Sequence, residues 1–188
     1  MRNRQLSFLK EMKASTRLNH GGELGKGKRK SRRPFDPKRP LHVVMRSTRA
    51  RGNWSMLSPK NQRRVKTLVQ ETAAKHGIQL LHFANVGNHL HFLFRARRVE
   101  AMRAFMREVS GKIAFQITGS RKTSPLSGRF WDHLPYSRVV SWGNDFKAVT
   151  RYVIGNLFQA AGRWNKKRDP HLKVILLSMR EAGLGPPT

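Results

Sequence analysis

Two histidines one residue apart, His89 and His91, are the residues of this chain best placed to do chemistry. They lie in the apolar run Asn88-His89-Leu90-His91-Phe92-Leu93-Phe94, which predicts a strand. Strand side chains alternate between faces, so both imidazoles point one way while Leu90 and Phe92 point into a core. Two imidazoles side by side on a rigid strand make half of a metal site. The alternative is a pair of histidines that face solvent or phosphate on an exposed strand.

A second pair, Tyr152 and Asn156, completes the hypothesis. The two residues are four apart in a predicted helix, so they stack on one helix face. If that face meets the histidines, the imidazoles and the Asn156 oxygen can hold a divalent ion that polarises a phosphodiester, and the phenol oxygen can attack the phosphorus. The plain alternative is a boundary tyrosine with its hydroxyl in water. Tyr136 is the rival nucleophile, but no amide lies one turn on, and a packing role at a strand start is favoured.

The charge predicts a polyanionic substrate. The chain has 39 Lys and Arg against 10 Asp and Glu, a net charge of +29, and a polyanion such as nucleic acid is the expected partner. The folded part carries only seven acidic residues, scattered along it, which disfavours a carboxylate-rich two-metal site. The chain has no cysteine, which excludes disulfides and thiolate ligands. No membrane-spanning run or signal peptide stands out, so we expect a cytoplasmic protein without membrane contact.

Basic and aromatic residues near these motifs are the predicted DNA contacts. Arg95 continues the histidine strand on the same face, and aromatic rings among Arg and Lys can stack unpaired bases. Each of these DNA contacts has a plain alternative. The arginines could form a solvated basic rim, and the tryptophan could pack in the core. The predicted contacts in the folded part are Arg95, Arg97, Arg98, Arg129, Trp131 and Arg151. Those in the N-terminal arm are Lys28, Arg29, Lys30, Arg32 and Arg33.

The elements that must position these residues alternate along the chain as strand, helix, strand, strand, helix, strand, helix. The first six match the βαββαβ pattern of a ferredoxin-like α+β core with an antiparallel sheet, and the last is a C-terminal helix that carries Tyr152. Residues 1–40 are predicted to be a disordered basic arm, because they have little to bury. The catalytic domain is expected at 41–165, and 166–188 is expected to be an extension that could form one short helix.

These motifs also carry a resemblance. The Asn-His-Leu-His-Phe-Leu strand, followed by Arg151-Tyr152-Val153-Ile154-Gly155-Asn156, resembles the single-tyrosine HUH transposases, above all their REP-associated tyrosine transposase branch. The resemblance runs from about Leu41 to Gly162. It implies metal ligation by His89, His91 and Asn156, with Tyr152 as the nucleophile, in a ferredoxin-like core that acts on single-stranded DNA with hairpins nearby.

Two positions depart from that family. Val86-Gly87 stands where a Met-Pro or similar pair often precedes Asn-His, and Leu157 stands where Pro often follows the helix Asn. The first touches a turn and the second the end of the site helix. Neither departure removes a proposed ligand.

The sequence therefore predicts a DNA strand transferase. Tyr152 would form a 5′-phosphotyrosine with the help of Mg²⁺ or Mn²⁺, since an imidazole and amide site does not demand zinc, and the partner would be single-stranded or hairpin DNA. Two other hypotheses for the function remain open. One is a non-catalytic nucleic-acid-binding protein, as a domesticated relative would be; the other is an HUH replication initiator or relaxase. The sequence does not decide between a monomer and a homodimer.

Overall fold

The computed structural model of the chain describes residues 19–22, 32–121 and 123–160. They form one antiparallel sheet and three helices, an α+β fold, as expected. The strands are β1 (Asn19–His20), β2 (Leu41–Arg46), β3 (Gln79–Asn85), β4 (His89–Arg95) and β5 (Tyr136–Val139). The helices are α1 (Pro59–Lys75), α2 (Val99–Thr118) and α3 (Asn144–Ala160), with a short 3₁₀ turn at Gly52–Trp54.

The strand order is β1-β5-β2-β4-β3, and every pairing is antiparallel. Helix α1 leads from β2 to β3 with β4 lying between those strands. Helix α2 leads from β4 to β5 with β2 lying between them. These two interleaved crossovers are the split βαβ units of a ferredoxin-like core. The predicted βαββαβ order is therefore confirmed, and it places β2 and β4 side by side in the centre of the sheet.

The main core lies between one sheet face and helices α1 and α2. Alternate residues of β2 and β4 point into it and are completely buried, as the period of two in a strand requires. The helices add the apolar stripes that their spacing predicts. The strand residues are Leu41, Val43, Met45, Leu90, Phe92 and Phe94, and the helix residues include Val65, Val69, Met102, Phe105, Val109 and Ile113.

Helix α3 covers the opposite face with a smaller second core. Its buried side chains in this core are Val149, Tyr152 and Val153, which pack with Ala84 and Leu93 of the sheet. The apolar spacing of this helix predicts a stripe of Phe146, Val149, Val153, Leu157 and Ala160, but Leu157 is 45% exposed and Tyr152 is 2% exposed. The buried face is thus turned toward Tyr152, because residues 149, 152 and 153 follow the three- and four-residue spacing of one helix face.

Parts of the expected N-terminal arm belong to the fold. Asn19 and His20 pair with β5, Phe35 packs against the main core, and Arg33 donates hydrogen bonds to Pro135 and Ser137. The open edge of β5 gives the segment backbone partners, which sequence composition does not reveal. The basic run Lys28, Arg29 and Lys30 lies outside the described residues, as does the extension 166–188. No described helix is long and apolar enough to span a membrane.

Candidate metal and nucleophile site

His89 and His91 lie on the face of β4 that helix α3 covers. Their ring centres are 4.9 Å apart and their planes meet at 76°. His91 is fully buried and His89 is partly buried. The predicted alternation is confirmed, since Leu90 and Phe92 occupy the main core on the other side.

Both histidines use Nδ1 for a hydrogen bond and leave Nε2 without one. His89 Nδ1 lies 2.7 Å from Asn88 Oδ1, and His91 Nδ1 lies 3.4 Å from His42 Nε2. Both Nε2 atoms are buried and have no hydrogen-bond partner among the described residues. Because Asn88 Oδ1 can only accept, His89 carries its proton on Nδ1 and keeps a lone pair on Nε2.

Burial keeps these imidazoles uncharged at neutral pH. Desolvation, with a smaller effect of Arg46, lowers the pKa of His89 to about 4. Desolvation lowers the pKa of His42 to about 3 and places the pKa of His91 well below its usual range, with His42 and His89 adding to the shift. A neutral imidazole is the form that binds a metal ion.

Tyr152 brings its ring against the histidines from α3. The ring stands edge to face with His91, at 5.3 Å between centres, and with His42, at 5.9 Å. Burial raises the pKa of Tyr152 to about 12, and a side-chain hydrogen bond with Asn156 offsets part of the rise. At neutral pH the phenol is therefore protonated, and it would have to lose its proton to act as a nucleophile.

Asn156 is half-buried one turn beyond Tyr152. Its amide nitrogen donates to the backbone oxygen of Tyr152 at 2.9 Å. No hydrogen bond or ring contact within the described ranges joins it to His89 or His91, and no three His, Cys, Asp or Glu side chains there form a cation site. The structure thus unites the two imidazoles with Tyr152, and it places the amide beside the phenol.

The donor chemistry fits a divalent ion. Two buried imidazole nitrogens without partners are what a metal would satisfy, and the Asn156 amide can supply an oxygen. Two imidazoles and one amide leave open coordination positions for a phosphate oxygen, as catalytic sites do.

His42 was not expected at this site. It lies on β2 next to β4, is 4% exposed and contacts His91, Tyr152 and Tyr136 through its ring. The short β-rich run after Pro40 predicts the strand Leu41–Arg46, which the structure has, but a single histidine in it carries no spacing signal. Only the register, which sets Val44 opposite His91, shows that His42 shares the face of His91.

Tyr136, the rival nucleophile, faces the same site from β5. Its ring centre is 6.4 Å from that of His42, and its hydroxyl lies 3.4 Å from Asn19 Oδ1. Burial raises the pKa of Tyr136, with Arg138 opposing the shift. Both tyrosines of the chain therefore lie near the histidines.

An ion pair fixes the start of α3 over this face. Arg138 of β5 is 7% exposed and makes two bonds to Asp145, at 2.8 and 2.9 Å. Asp145 also accepts the backbone N–H of Ser141 at 2.8 Å. A bidentate pair has a defined geometry, so the first turn of α3 is tied to the strand beside β2.

The family model described as "Transposase IS200 like" matches residues 39–156. The chain belongs to the IS200-like transposase family. The match begins just before β2 and ends at Asn156, so it includes His42, both histidines of β4 and Tyr152. The family implies DNA cleavage and transposition as the activity of this transposase.

The solved structures that are similar to this transposase include two that are themselves described as transposases. One is a candidate transposase from Deinococcus radiodurans R1, with 14% identity, a TM-score of 0.41, and coverage of 69% of this chain and 98% of that chain. The other is a REP-associated tyrosine transposase bound to a REP hairpin, with 11% identity, a TM-score of 0.48, and coverage of 72% and 76%. No curated protein sequence matches significantly.

The predicted DNA contacts of this transposase are spread over several surfaces. Arg95 lies on the histidine side of the sheet, 5.7 Å over the ring of Trp142, and Trp142 is 50% exposed. Trp142 was not in the predicted set, although it lies beside an arginine on the face that carries the site.

The other predicted contacts differ in exposure. Arg32, Arg97, Arg98, Arg129 and Arg151 are exposed, whereas Arg33 is held by hydrogen bonds to β5 and the residue before it. Trp131 packs against the main core and donates its indole N–H to Ser110 O at 3.0 Å. A DNA role for each of these side chains stays a prediction.

Proposed function

We propose that this transposase cleaves and rejoins single-stranded DNA through a 5′-phosphotyrosine on Tyr152, with Mg²⁺ or Mn²⁺ held by His89, His91 and Asn156. The observation that carries the proposal is the pair of buried, unpartnered Nε2 atoms beside a phenol. A purely structural histidine pair would be expected to satisfy these nitrogens.

The reaction needs one nucleophile and conserves bond energy. The phenol oxygen of Tyr152 attacks the phosphorus and loses its proton, the bond from phosphorus to the 3′ oxygen breaks, and that oxygen takes up a proton as a free 3′-hydroxyl. Attack by a second 3′-hydroxyl on the phosphotyrosine rejoins DNA and returns the phenol. Neither step consumes a nucleotide cofactor.

His89 and His91 contribute neutral imidazole ligands on a rigid central strand, and Asn156 contributes an amide oxygen next to the nucleophile. A divalent ion bound there would polarise the scissile phosphate. The edge-to-face contact with His91 orients the Tyr152 ring, and the Arg138–Asp145 pair anchors the helix that carries it. In this arrangement the sheet supplies the two imidazole ligands, and the helix that covers it supplies both the nucleophile and the amide ligand.

The substrate is proposed to be single-stranded DNA beside a hairpin, as in REP-like elements, cleaved in the cytoplasm. The net charge of +29 supports tight, salt-dependent binding to phosphates. Exposed Trp142 next to Arg95 offers a surface on which an unpaired base can stack. The hairpin preference itself derives from the resemblance to the REP-associated branch.

A non-catalytic nucleic-acid-binding protein is the second candidate. The burial of Tyr152, at 2% exposure, favours it, because a packed tyrosine is what a domesticated relative would retain. In that case the sheet and the basic surface would bind DNA without metal.

One experiment separates the two candidates. Labelled single-stranded DNA with a hairpin is incubated with the full chain and Mg²⁺ or Mn²⁺, and a denaturing gel is examined for a covalent adduct. An adduct that chelation abolishes supports the transposase reaction. Tight DNA binding without any adduct, over a panel of hairpins with both metals, supports the binding protein.

A further inference from the structure

The ring of His42 is buried and lies in nearly the same plane as the ring of His91. The two rings are parallel within 4° and their centres are 5.7 Å apart, while His91 Nδ1 and His42 Nε2 are 3.4 Å apart. The two nitrogens therefore lie on the line between the ring centres. Parallel rings in that arrangement are edge to edge rather than face to face, which is the geometry of an N–H···N hydrogen bond.

This hydrogen bond fixes which nitrogen of His91 is bare. A neutral imidazole has one N–H and one lone pair, and the partner of one nitrogen decides the role of the other. If His42 Nε2 accepts, the proton of His91 lies on Nδ1 and its Nε2 lone pair is free. If His42 Nε2 donates, His91 must carry its proton on Nε2, where no acceptor lies among the described residues and no metal could bind.

We propose that His42 is a positioning residue that accepts the Nδ1–H of His91 and thereby keeps the Nε2 lone pair of His91 available to a metal ion. His42 then carries its own proton on Nδ1. The inference rests on the proposed metal site and adds to it the hydrogen-bond partner of the ligand His91. On the neighbouring ligand, Asn88 Oδ1 does the same for His89 at 2.7 Å, so both ligands have the same tautomer.

The first test reads the tautomer directly and needs no metal. Nitrogen-15 correlation spectra of the histidine-labelled full chain are recorded at pH 7.5 with EDTA. We expect His91 to show a protonated Nδ1 and an unprotonated Nε2. A protonated Nε2 on His91 would overturn the proposal, whatever the protein does to DNA.

The second test compares variants by Mn²⁺ titration calorimetry. His42→Phe removes the acceptor and should weaken Mn²⁺ binding by about 10- to 100-fold, the usual loss for such a ligand partner. His42→Gln supplies an amide oxygen as acceptor and should restore most of the affinity. His82→Gln changes another histidine of the sheet, which has no hydrogen bond or ring contact with His89 or His91 among the described residues, and this variant should bind Mn²⁺ like the unmodified chain.

The outcomes of the titration test the positioning role of His42 and the proposed metal site separately. Wild-type affinity in His42→Phe, or an equal loss in His42→Phe and His42→Gln, would overturn the positioning role. If the unmodified chain binds no Mn²⁺, the proposed function fails, and the tautomer measurement still decides the assignment of His91. If His42→Phe does not fold, His42→Gln and the nitrogen-15 spectrum carry the test.

Discussion

The ring of Tyr152 stands almost perpendicular to the ring of His91, at 88° with 5.3 Å between centres. Tyr152 is thus both a packed residue of the second core and the proposed nucleophile. Its ring contributes packing, and its oxygen contributes chemistry. The two contributions can be separated by removing the oxygen alone.

Tyr152→Phe should abolish the covalent DNA adduct and leave the fold intact. The ring keeps its contacts with His91 and His42, and only a hydrogen bond with Asn156 is lost, which costs about 1 kcal/mol in the free energy of unfolding. DNA affinity should not change, because it arises from the basic surface. The measurements are an adduct gel, urea unfolding and a binding titration.

Tyr136→Phe is the matched control for that variant. Tyr136 lies near the same histidines but bonds Asn19, so its loss should leave most of the cleavage rate. An adduct in Tyr152→Phe together with none in Tyr136→Phe would mean that Tyr136 is the nucleophile. Normal DNA reactions in both variants would support the binding protein.

The metal-free fold should lose stability in mild acid. His42 and His91 titrate below their usual pKa of 6.5 when folded, whereas the unfolded chain takes up protons near 6.5. The contribution of these neutral rings to the free energy of unfolding is therefore fully present above pH 6.5. It is lost as the pH falls toward the pKa of the folded state, by at most about 1.4 kcal/mol per pH unit for each histidine.

Urea unfolding in EDTA from pH 7.5 to 4.5 measures this slope. His42→Gln has one titrating ring fewer and should give a shallower slope over the same range. A slope that is unchanged in His42→Gln would show that His42 is not the neutral, buried group described above.

His89→Ala should weaken the metal site without removing the nucleophile. His89 supplies one of the two bare Nε2 atoms, so Mn²⁺ affinity should fall at least about 10-fold, and a given Mn²⁺ concentration should raise the melting temperature less than in the unmodified chain. Thermal melts with and without Mn²⁺ provide the readout. Equal Mn²⁺-induced shifts in His89→Ala and the unmodified chain would place the metal elsewhere.

Trp142→Ala should weaken binding to single-stranded DNA by about 1–3 kcal/mol, the range for loss of one base-stacking ring. The salt dependence of binding should stay the same, since no charge is removed. Trp131→Phe is the comparison, because Trp131 packs against the core and donates to Ser110. A larger loss of affinity in Trp131→Phe than in Trp142→Ala would restore Trp131 as the stacking residue.

The regular elements could be predicted because their signals are local. Ser58-Pro59 marks the start of α1, and Gly77, with a φ of +63°, follows its end, where a positive φ favours glycine. Gly87, at φ +93°, forms the turn between β3 and β4. The strict alternation through β4 assigned both histidines to one face.

The remaining features depend on how distant segments meet. His42 joins the site only because β2 lies beside β4 in a particular register, and β1 forms only because β5 offers an open edge. Tyr152, rather than Leu157, lies on the buried face of α3, the face that packs against Ala84 and Leu93 of the sheet. None of these relationships is encoded in the spacing of a single element.

The sheet order has a consequence for when the site can form. His42, His91, Tyr136 and Tyr152 come from β2, β4, β5 and α3, and His42 and His91 alone are 49 residues apart. Contacts of long sequence separation form late, because chain closure must precede them. A chain ending within α2 could still pair β3 with β4, yet it would lack both tyrosines. If Tyr152 is the nucleophile, as proposed, an interrupted synthesis product of this kind cannot form the covalent DNA adduct, and the proposed site is complete only with the last strand and helix of the domain.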